Sequence, residues 1–166
     1  MIAGETFALK PGLVVLGIGN MFRHDDGVGI FVARRIKREV GDLVSVYDNM
    51  RDSVDLIEAW QGANAAVIVD AVSSQGLTQP GTIYQIEVGN QSVPEKLFHY
   101  STHNLSIAAA IDLSRALGTL PPHLTICGIE GENFEIGTGL SPEVEEAAEK
   151  VVQTIVRRAY ATIEDR

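Results

Sequence analysis

A short apolar run that leads straight into a glycine-rich turn constrains this chain more than any other stretch. The run, Leu13 to Leu16, is too short for a helix and is rich in valine, so it predicts a buried strand. Gly17, Gly19 and Asn20 follow it and predict a tight turn, because glycine adopts backbone dihedrals that other residues avoid. The residues after this turn are therefore expected at one edge of a sheet.

Two adjacent acids, Asp25 and Asp26, come after the turn and just before a helical pattern. One carboxylate there is explained as a helix cap, because a helix N-terminus is mildly positive and leaves amide groups without partners. The second carboxylate is not needed for that task. Since open α/β sheets place their ligands at the carboxyl ends of central strands, the surplus acid marks a candidate functional site.

The composition is that of one globular domain and excludes several classes of protein. With 166 residues, of which 45% are hydrophobic and 21% charged, the chain is most simply a single domain, residues 1–166. A net charge of −9 argues against nucleic acid or an anionic membrane as the partner, since both require a positive face. The single cysteine suits a reducing compartment, no signal peptide is visible, and no apolar run is long enough to span a bilayer. We therefore expect a cytoplasmic protein.

Strand and helix patterns alternate along the chain and predict one α/β sandwich. Val28, Val32 and Ile36 recur at helical spacing, and Gly41 ends that helix. The connection 73–81 is too short to hold a crossover helix, so the strand after it is expected to run antiparallel to the others. The further predicted elements are strands at 43–47, 65–69, 82–87 and 124–129, a short helix capped by Ser53, a helix that starts at Ser101 or Thr102 and stops at Gly118, a loop at 130–140, and a final helix opened by Ser141-Pro142-Glu143.

Three residues could meet at one rim of this sheet: Asp26, Asp70 and His103. Asp70 follows the strand 65–69, and His103 falls in the first turn of a later helix. If the first and third strands are parallel neighbours, Asp70 faces the same rim as Asp26. Two carboxylates and an imidazole are a ligand set for a divalent transition metal, with positions open to water or substrate. A structural interpretation stays open for each residue: a cap for Asp26, amide hydrogen bonds for Asp70, and a satisfied histidine at a helix start for His103.

The other histidines and the cysteine are weaker candidates. His24 is predicted to be an exposed turn residue, His99 lies in a loop without a visible partner, and His123 is predicted to face solvent where a strand begins. Cys127 lies inside an apolar strand, where cysteine usually behaves as a small hydrophobic residue. None of the four is assigned a role.

Gly17-Ile18-Gly19 after a strand also invites a dinucleotide-binding interpretation. The third glycine of that fingerprint would be needed at position 22, where the bulk of Phe22 would block close packing of the helix on the strand. The acid pair would repel a pyrophosphate, and only Asp48, as a ribose ligand, favours this alternative. No cofactor-binding residue is assigned, and a non-catalytic nucleotide-binding module stays open as the competing class.

The acid pair and its glycines also carry a family resemblance. Gly17-x-Gly19-Asn20-(x)4-Asp25-Asp26-Gly27-x-Gly29 resembles the opening motif of the hydrogenase maturation endopeptidases, which process the large subunit of nickel–iron hydrogenases. The segment Val67 to Val72 resembles the second motif of that family, and Ser101 to Leu105 resembles its third. The three occur in the family's order, and the resemblance extends from about Leu13 to the final helix.

The resemblance implies both a fold and an activity. The fold is a three-layer α/β/α sandwich, phosphorylase/hydrolase-like, with a five-stranded mixed sheet of order 2-1-3-5-4 and strand four antiparallel. The activity is that of an aspartic-type or metal-dependent endopeptidase that removes a C-terminal extension from the large-subunit precursor once nickel is inserted. Asp26, Asp70 and His103 would be the catalytic residues and the metal ligands. The nickel would arrive with the precursor, other divalent metals could replace it, and a monomer is expected.

Residues around these ligands are expected to support the site. Gly19, Asn20 and Asp25 would lie beside it, with Asp25 capping the helix or orienting Asp26. The chain departs from the family at 48–51, which is Asp-Asn-Met-Arg where many members carry Asp-Gly-Gly-Thr. This departure leaves the identity of the hydrogenase open. A scaffold that delivers metal to the large subunit without cutting it is a further alternative.

Overall fold

The computed structural model describes residues 12–89 and 107–164, which form five strands and four helices. In chain order they are β1 (Leu13–Gly17), α1 (Val28–Val40), β2 (Ser45–Tyr47), α2 (Ser53–Trp60), β3 (Ala65–Val72), β4 (Ile83–Val88), α3 (Ile107–Leu117), β5 (His123–Glu130) and α4 (Pro142–Glu164). A 3-10 turn, His24–Gly27, leads into α1.

The strands form one mixed sheet in the order β2-β1-β3-β5-β4. Neighbours among β2, β1, β3 and β5 are parallel, whereas β4 pairs antiparallel with β5. The short connection between β3 and β4 explains the reversal, because a parallel neighbour needs a longer crossover. The predicted strand order and the predicted antiparallel strand are confirmed.

Each face of the sheet has its own apolar core, because strand residues alternate between the two faces. One core lies under α1 and α4 and includes Val15, Val67 and Ile129. The other lies under α2 and α3 and includes Leu16 and Ile68. The strands are therefore continuously apolar in sequence, as expected for a sheet that is covered on both sides.

Several predicted element ends were wrong. β3 continues three residues beyond the predicted end at Val69, to Val72. β2 begins at Ser45, because residues 41–43 form a 3-10 turn. The cap of α2 is Asp52, whose side chain accepts the backbone N–H groups of Val54 and Asp55, and Ser53 is the first helical residue.

The longest described helix is α4, with 23 residues. Acids occupy its first turn, and its apolar stripe packs against α1 and the sheet. Of the helices that the structure describes, none combines the length and the apolarity needed to cross a membrane.

Candidate active site

Two glycines let the start of α1 approach the sheet closely. A Cβ atom at Gly29 would lie 2.2 Å from the carbonyl oxygen of Val69 and 2.4 Å from that of Ile18. A Cβ atom at Gly17 would lie 2.3 Å from the carbonyl oxygen of Gly29. The first turn of α1 therefore packs directly on the ends of β1 and β3, at a distance that only glycine permits. Asp26, which precedes α1 by two residues, is thereby placed at the carboxyl edge of the sheet.

Gly19 and Asn20 shape the turn between β1 and the acids. Gly19 has a φ of 139°, and a Cβ atom there would lie 1.9 Å from the backbone oxygen of Asp26. Asn20 donates its backbone N–H to that same oxygen at 3.2 Å, and its side-chain oxygen accepts the N–H of Phe22 at 2.9 Å. Both residues therefore position the backbone of Asp26.

Asp70 lies on β3 opposite Gly128 of β5. It is one residue beyond Val69, where the pairing of β3 with β1 ends. Alternation along β3 puts its side chain on the face that carries Ala66 and Ile68, which α2 and α3 cover. Asp70 therefore lies just beyond the end of β1, where the chain turns away into the segment that carries Asp25 and Asp26.

Asp26 and Asp70 form a pair of buried carboxylates at this edge, with exposed fractions of 4% and 2%. Burial raises the pKa of Asp70 well above its ordinary value, and the negative charge of Asp26 raises it further. The Ala71 N–H, which Asp70 Oδ1 accepts at 2.8 Å, acts in the opposite direction. The other oxygen of Asp70, Oδ2, has no hydrogen-bond donor among the described residues. The unsatisfied oxygen of Asp70, buried beside a second carboxylate, is suited to bind a cation, because burying a carboxylate whose oxygen has no hydrogen-bond donor is costly.

The third predicted ligand, His103, lies outside the described residues, as does His99. Within 12–89 and 107–164, no group of three His, Cys, Asp or Glu side chains is arranged to hold a metal ion. The structure thus brings together two of the three predicted ligands. The described part of α3, Ile107–Leu117, packs on the same face of the sheet as Asp70.

Asp25 has a different environment from its neighbour. Its buried carboxylate accepts the N–H groups of Glu132 and Asn133 at 2.9 Å each. It also accepts the N–H and the hydroxyl of Ser141, both at 2.7 Å. Of the two roles predicted for Asp25, the helix cap was wrong: the N-cap positions of the 3-10 turn and of α1 are Arg23 and Gly27, and neither has a side-chain cap hydrogen bond. Asp25 instead fastens the segment before α4 to the acidic turn.

Backbone hydrogen bonds join the same two segments. Arg23 and Gly137 form a parallel β-bridge, in which the N–H of His24 reaches the oxygen of Gly137 and the N–H of Gly137 reaches the oxygen of Phe22, both at 2.9 Å. The His24 ring lies over Gly137, and its Nδ1 is 3.0 Å from the backbone oxygen of Gly139. His24 is therefore half-buried, and the prediction that it is an exposed turn residue was wrong. Hydrogen bonds to the turn after β1 therefore hold the predicted loop at 130–140 at several positions.

Glu130 is a further buried acid at this edge, and it is not among the residues predicted from the sequence. It is 1% exposed, and its carboxylate accepts the N–H of Ser74 at 2.7 Å, the Ser74 hydroxyl at 2.6 Å and the Tyr84 hydroxyl at 3.3 Å. It therefore holds the connection after β3 against β5. The signal that could have revealed it is an acid directly after an apolar strand, the same pattern that singled out Asp70.

The remaining candidates from the sequence are Cys127, His123 and Asp48, and none of them lies in the buried carboxylate pair. Cys127 is buried, and burial raises the pKa of its thiol to about 11. His123 is exposed, as predicted. Asp48 forms an ion pair with Arg34 at 2.7 Å, so the acid that favoured a nucleotide site is neutralised by α1.

Comparison with known proteins identifies the family. A family sequence model described as HycI, hydrogenase maturation protease, matches residues 30–158. The chain belongs to the hydrogenase maturation protease family. It is therefore a hydrolase, as predicted, and the nucleotide-binding alternative is not favoured.

Individual relatives of this maturation protease agree in sequence and in fold. It is 26% identical to the Hydrogenase 2 maturation protease of Escherichia coli over 147 residues, which cover 87% of this chain and 88% of that protein. It is 30% identical to the hydrogenase expression/formation protein HupD of Thiocapsa roseopersicina over 141 residues, 82% of this chain and 62% of that protein. Among solved structures, the hydrogenase maturating endopeptidase HybD of Escherichia coli matches with a TM-score of 0.73 at 22% identity, over 90% of this chain and 93% of that one. These matches confirm the α/β fold.

Proposed function

We propose that this maturation protease is a metal-dependent endopeptidase that removes the C-terminal extension of a nickel–iron hydrogenase large-subunit precursor. It would act in the cytoplasm as a monomer, with residues 1–166 as its single domain. Membership of the family supports the reaction class, and so does the similarity to a solved protein described as an endopeptidase from Escherichia coli. The observation that carries the proposal is the pair of buried carboxylates, Asp26 and Asp70, at the carboxyl edge of the sheet.

The donor atoms at this edge fit a divalent cation. Asp70 presents a buried carboxylate oxygen that no described donor satisfies, and the charge of Asp26 is close enough to raise the pKa of Asp70. Asp26, Asp70 and His103 would hold the nickel that the precursor carries, and other divalent metals could replace it. When bound, nickel would supply Lewis-acid polarisation of the scissile carbonyl or activation of a water molecule.

The chain's own residues would place the cleavage site. Gly19 and Asn20 fix the backbone of Asp26 by close approach and by a hydrogen bond, so the Asp26 carboxylate is presented from a rigid turn. Asp70 is presented from the carboxyl end of β3, at a position that is still paired with β5. A site that is built on a strand and a fixed turn needs little reorganisation when the substrate binds, which favours catalysis.

The test is incubation of the purified protein with a nickel-loaded precursor, followed by mass spectrometry of the released C-terminal peptide. Asp70→Asn and His103→Ala are expected to lower the cleavage rate about a hundredfold or more, since each removes a ligand. Asp112→Asn makes the same chemical change at an exposed position on α3 and should cleave at the wild-type rate. Normal cleavage by either ligand variant would refute the proposed site.

The same assay separates the scaffold alternative. A metal-delivery scaffold would bind the precursor without releasing any peptide. Release of the tail by the wild-type protein, lost in Asp70→Asn and retained in Asp112→Asn, would assign the reaction to this edge of the sheet.

A further inference from the structure

Phe22 and Ile136 are large apolar side chains that lie in solvent, with 71% and 89% of their surface exposed. Each directly precedes one partner of the β-bridge between Arg23 and Gly137, and the N–H of Gly137 donates to the oxygen of Phe22 at 2.9 Å. They are therefore lateral neighbours on adjacent segments. A single exposed apolar residue is ordinary, whereas these two together form a small contiguous apolar surface that a partner protein can cover.

The segments that present this pair are held rigidly. The Arg23 side chain donates to the oxygen of Phe134 at 3.0 Å, and the N–H of Asp25 donates to the oxygen of Asn133 at 2.9 Å. The buried Asp25 carboxylate adds four hydrogen bonds between the same segments. An apolar pair on a fixed backbone loses little conformational entropy when a partner covers it, and this favours binding.

The position of the pair indicates what would cover it. Phe22 lies four residues before Asp26 in the same turn, and that turn is anchored to the carboxyl edge of the sheet. A folded protein that brings one of its peptide bonds to Asp26 must also lie over the adjoining surface of the turn. A small ligand at Asp26 and Asp70 would not need to extend so far.

From these observations we infer that Phe22 and Ile136 form the docking contact for the precursor protein, whose facing surface is an apolar patch close to its cleavage site. The inference rests on the proposed function. In this arrangement Asp26 and Asp70 act on the reacting group, whereas Phe22 and Ile136 bind a part of the substrate that does not react. Loss of the pair should therefore weaken substrate binding and leave the chemical step intact.

The experiment compares the double variant Phe22→Ser/Ile136→Ser with wild type on a nickel-loaded precursor, measuring KM and kcat separately. We expect KM to rise about tenfold and kcat to change less than about twofold, as for the loss of two apolar anchors at an interface. Leu117→Ser is the matched control. Leu117 is a 61% exposed apolar residue at the end of α3, where the connection to β5 starts. Its KM and kcat should equal those of wild type.

Other outcomes overturn the inference in distinguishable ways. Cleavage by the wild type together with an unchanged KM in the double variant would reject the docking contact and leave the proposed function standing. A wild-type dimer that the double variant converts to monomer, with KM unchanged, would assign the pair to contact with a second copy of this chain. Absence of cleavage by the wild type would reject the proposed function itself, and the docking contact with it.

Discussion

The carboxylate of Asp25 accepts both the backbone N–H and the hydroxyl of Ser141, a residue 116 positions further along the chain. This contact joins the turn after β1 to the residue that precedes α4. Asp26, the next residue, instead lies close enough to Asp70 for its charge to raise the pKa of that buried acid. The two adjacent acids therefore have separate tasks: Asp25 joins two segments of the protein, and Asp26 belongs to the buried carboxylate pair that we propose binds a cation.

Replacement of Asp25 by Asn should destabilise the protein. The amide offers only one acceptor oxygen and directs an NH2 group at donors that need an acceptor, so buried N–H groups lose their partners. We expect the free energy of unfolding to fall by about 2–4 kcal/mol, and by about 1 kcal/mol for Ser141→Ala, which removes one of the four hydrogen bonds. Urea denaturation measures both. A midpoint for Asp25→Asn equal to that of exposed Asp112→Asn would contradict the role assigned to Asp25.

Replacement of Asp70 by Asn should stabilise the metal-free protein at neutral pH, although it lowers the cleavage rate about a hundredfold or more. The pKa of Asp70 is raised in the folded state, by burial first and by Asp26 second, above its unfolded value of about 3.8. Between the two values the folded protein retains a proton that the unfolded chain has lost, so the free energy of unfolding falls as pH rises through this window. Asparagine does not titrate, so the free energy of unfolding of the variant does not fall in this way as pH rises. Denaturation of both proteins should give a larger stabilising effect at pH 7 than at pH 4; the opposite trend would be inconsistent with a buried acid next to a like charge.

Replacement of Gly29 by Ala should be severely destabilising. The new Cβ atom would lie 2.2 Å from the backbone oxygen of Val69, and backbone atoms cannot move aside as a flexible side chain can. We expect a loss of about 3 kcal/mol or more, together with displacement of the acidic turn from the sheet. Gly89→Ala is the matched control, because a Cβ atom there meets no atom of residues 12–89 or 107–164 within 4 Å. Thermal unfolding of the two variants tests this, and equal melting temperatures would rule out the close packing of α1 on the sheet.

The thiol of Cys127 should be almost unreactive in the native protein. It is 7% exposed, and burial raises its pKa from 9.0 to about 11. At pH 8 only about one molecule in a thousand then carries the reactive thiolate, which is about a hundredfold less than for an exposed thiol. Alkylation with iodoacetamide, followed by mass spectrometry, should be slow in buffer and fast in urea. Rapid labelling of the folded protein would show that the strand opens readily.

Much of the fold was predictable because it follows from local patterns. The apolar run from Leu13, the helical spacing of Val28, Val32 and Ile36, and the short connection 73–81 predict elements and one reversal of direction that the structure confirms. Those patterns show which faces are buried, because apolar residues on a buried face recur at every second position in a strand and at every third or fourth position in a helix. The strand order came from the family resemblance, since periodicity does not state which strands are neighbours.

The division of work between Asp25 and Asp26 could not be obtained in this way. Both acids sit in the same turn, and both were compatible with a cap or with a ligand. Asp25 found its donors at Glu132, Asn133 and Ser141, more than a hundred residues away. The position of Glu130 after an apolar strand marks it as a candidate, but its role depends on Ser74 and Tyr84, which come from other parts of the chain.

The amino-acid sequence by itself determined the α/β class, the glycines that admit close backbone contacts, and the edge of the sheet at which the acids collect. Only the tertiary structure decided which acid fastens protein segments and which pair is left buried together. The physical reason is that burial follows from the local spacing of apolar residues. The hydrogen bonds of a carboxylate instead depend on which donors the folded chain brings within about 3 Å of it.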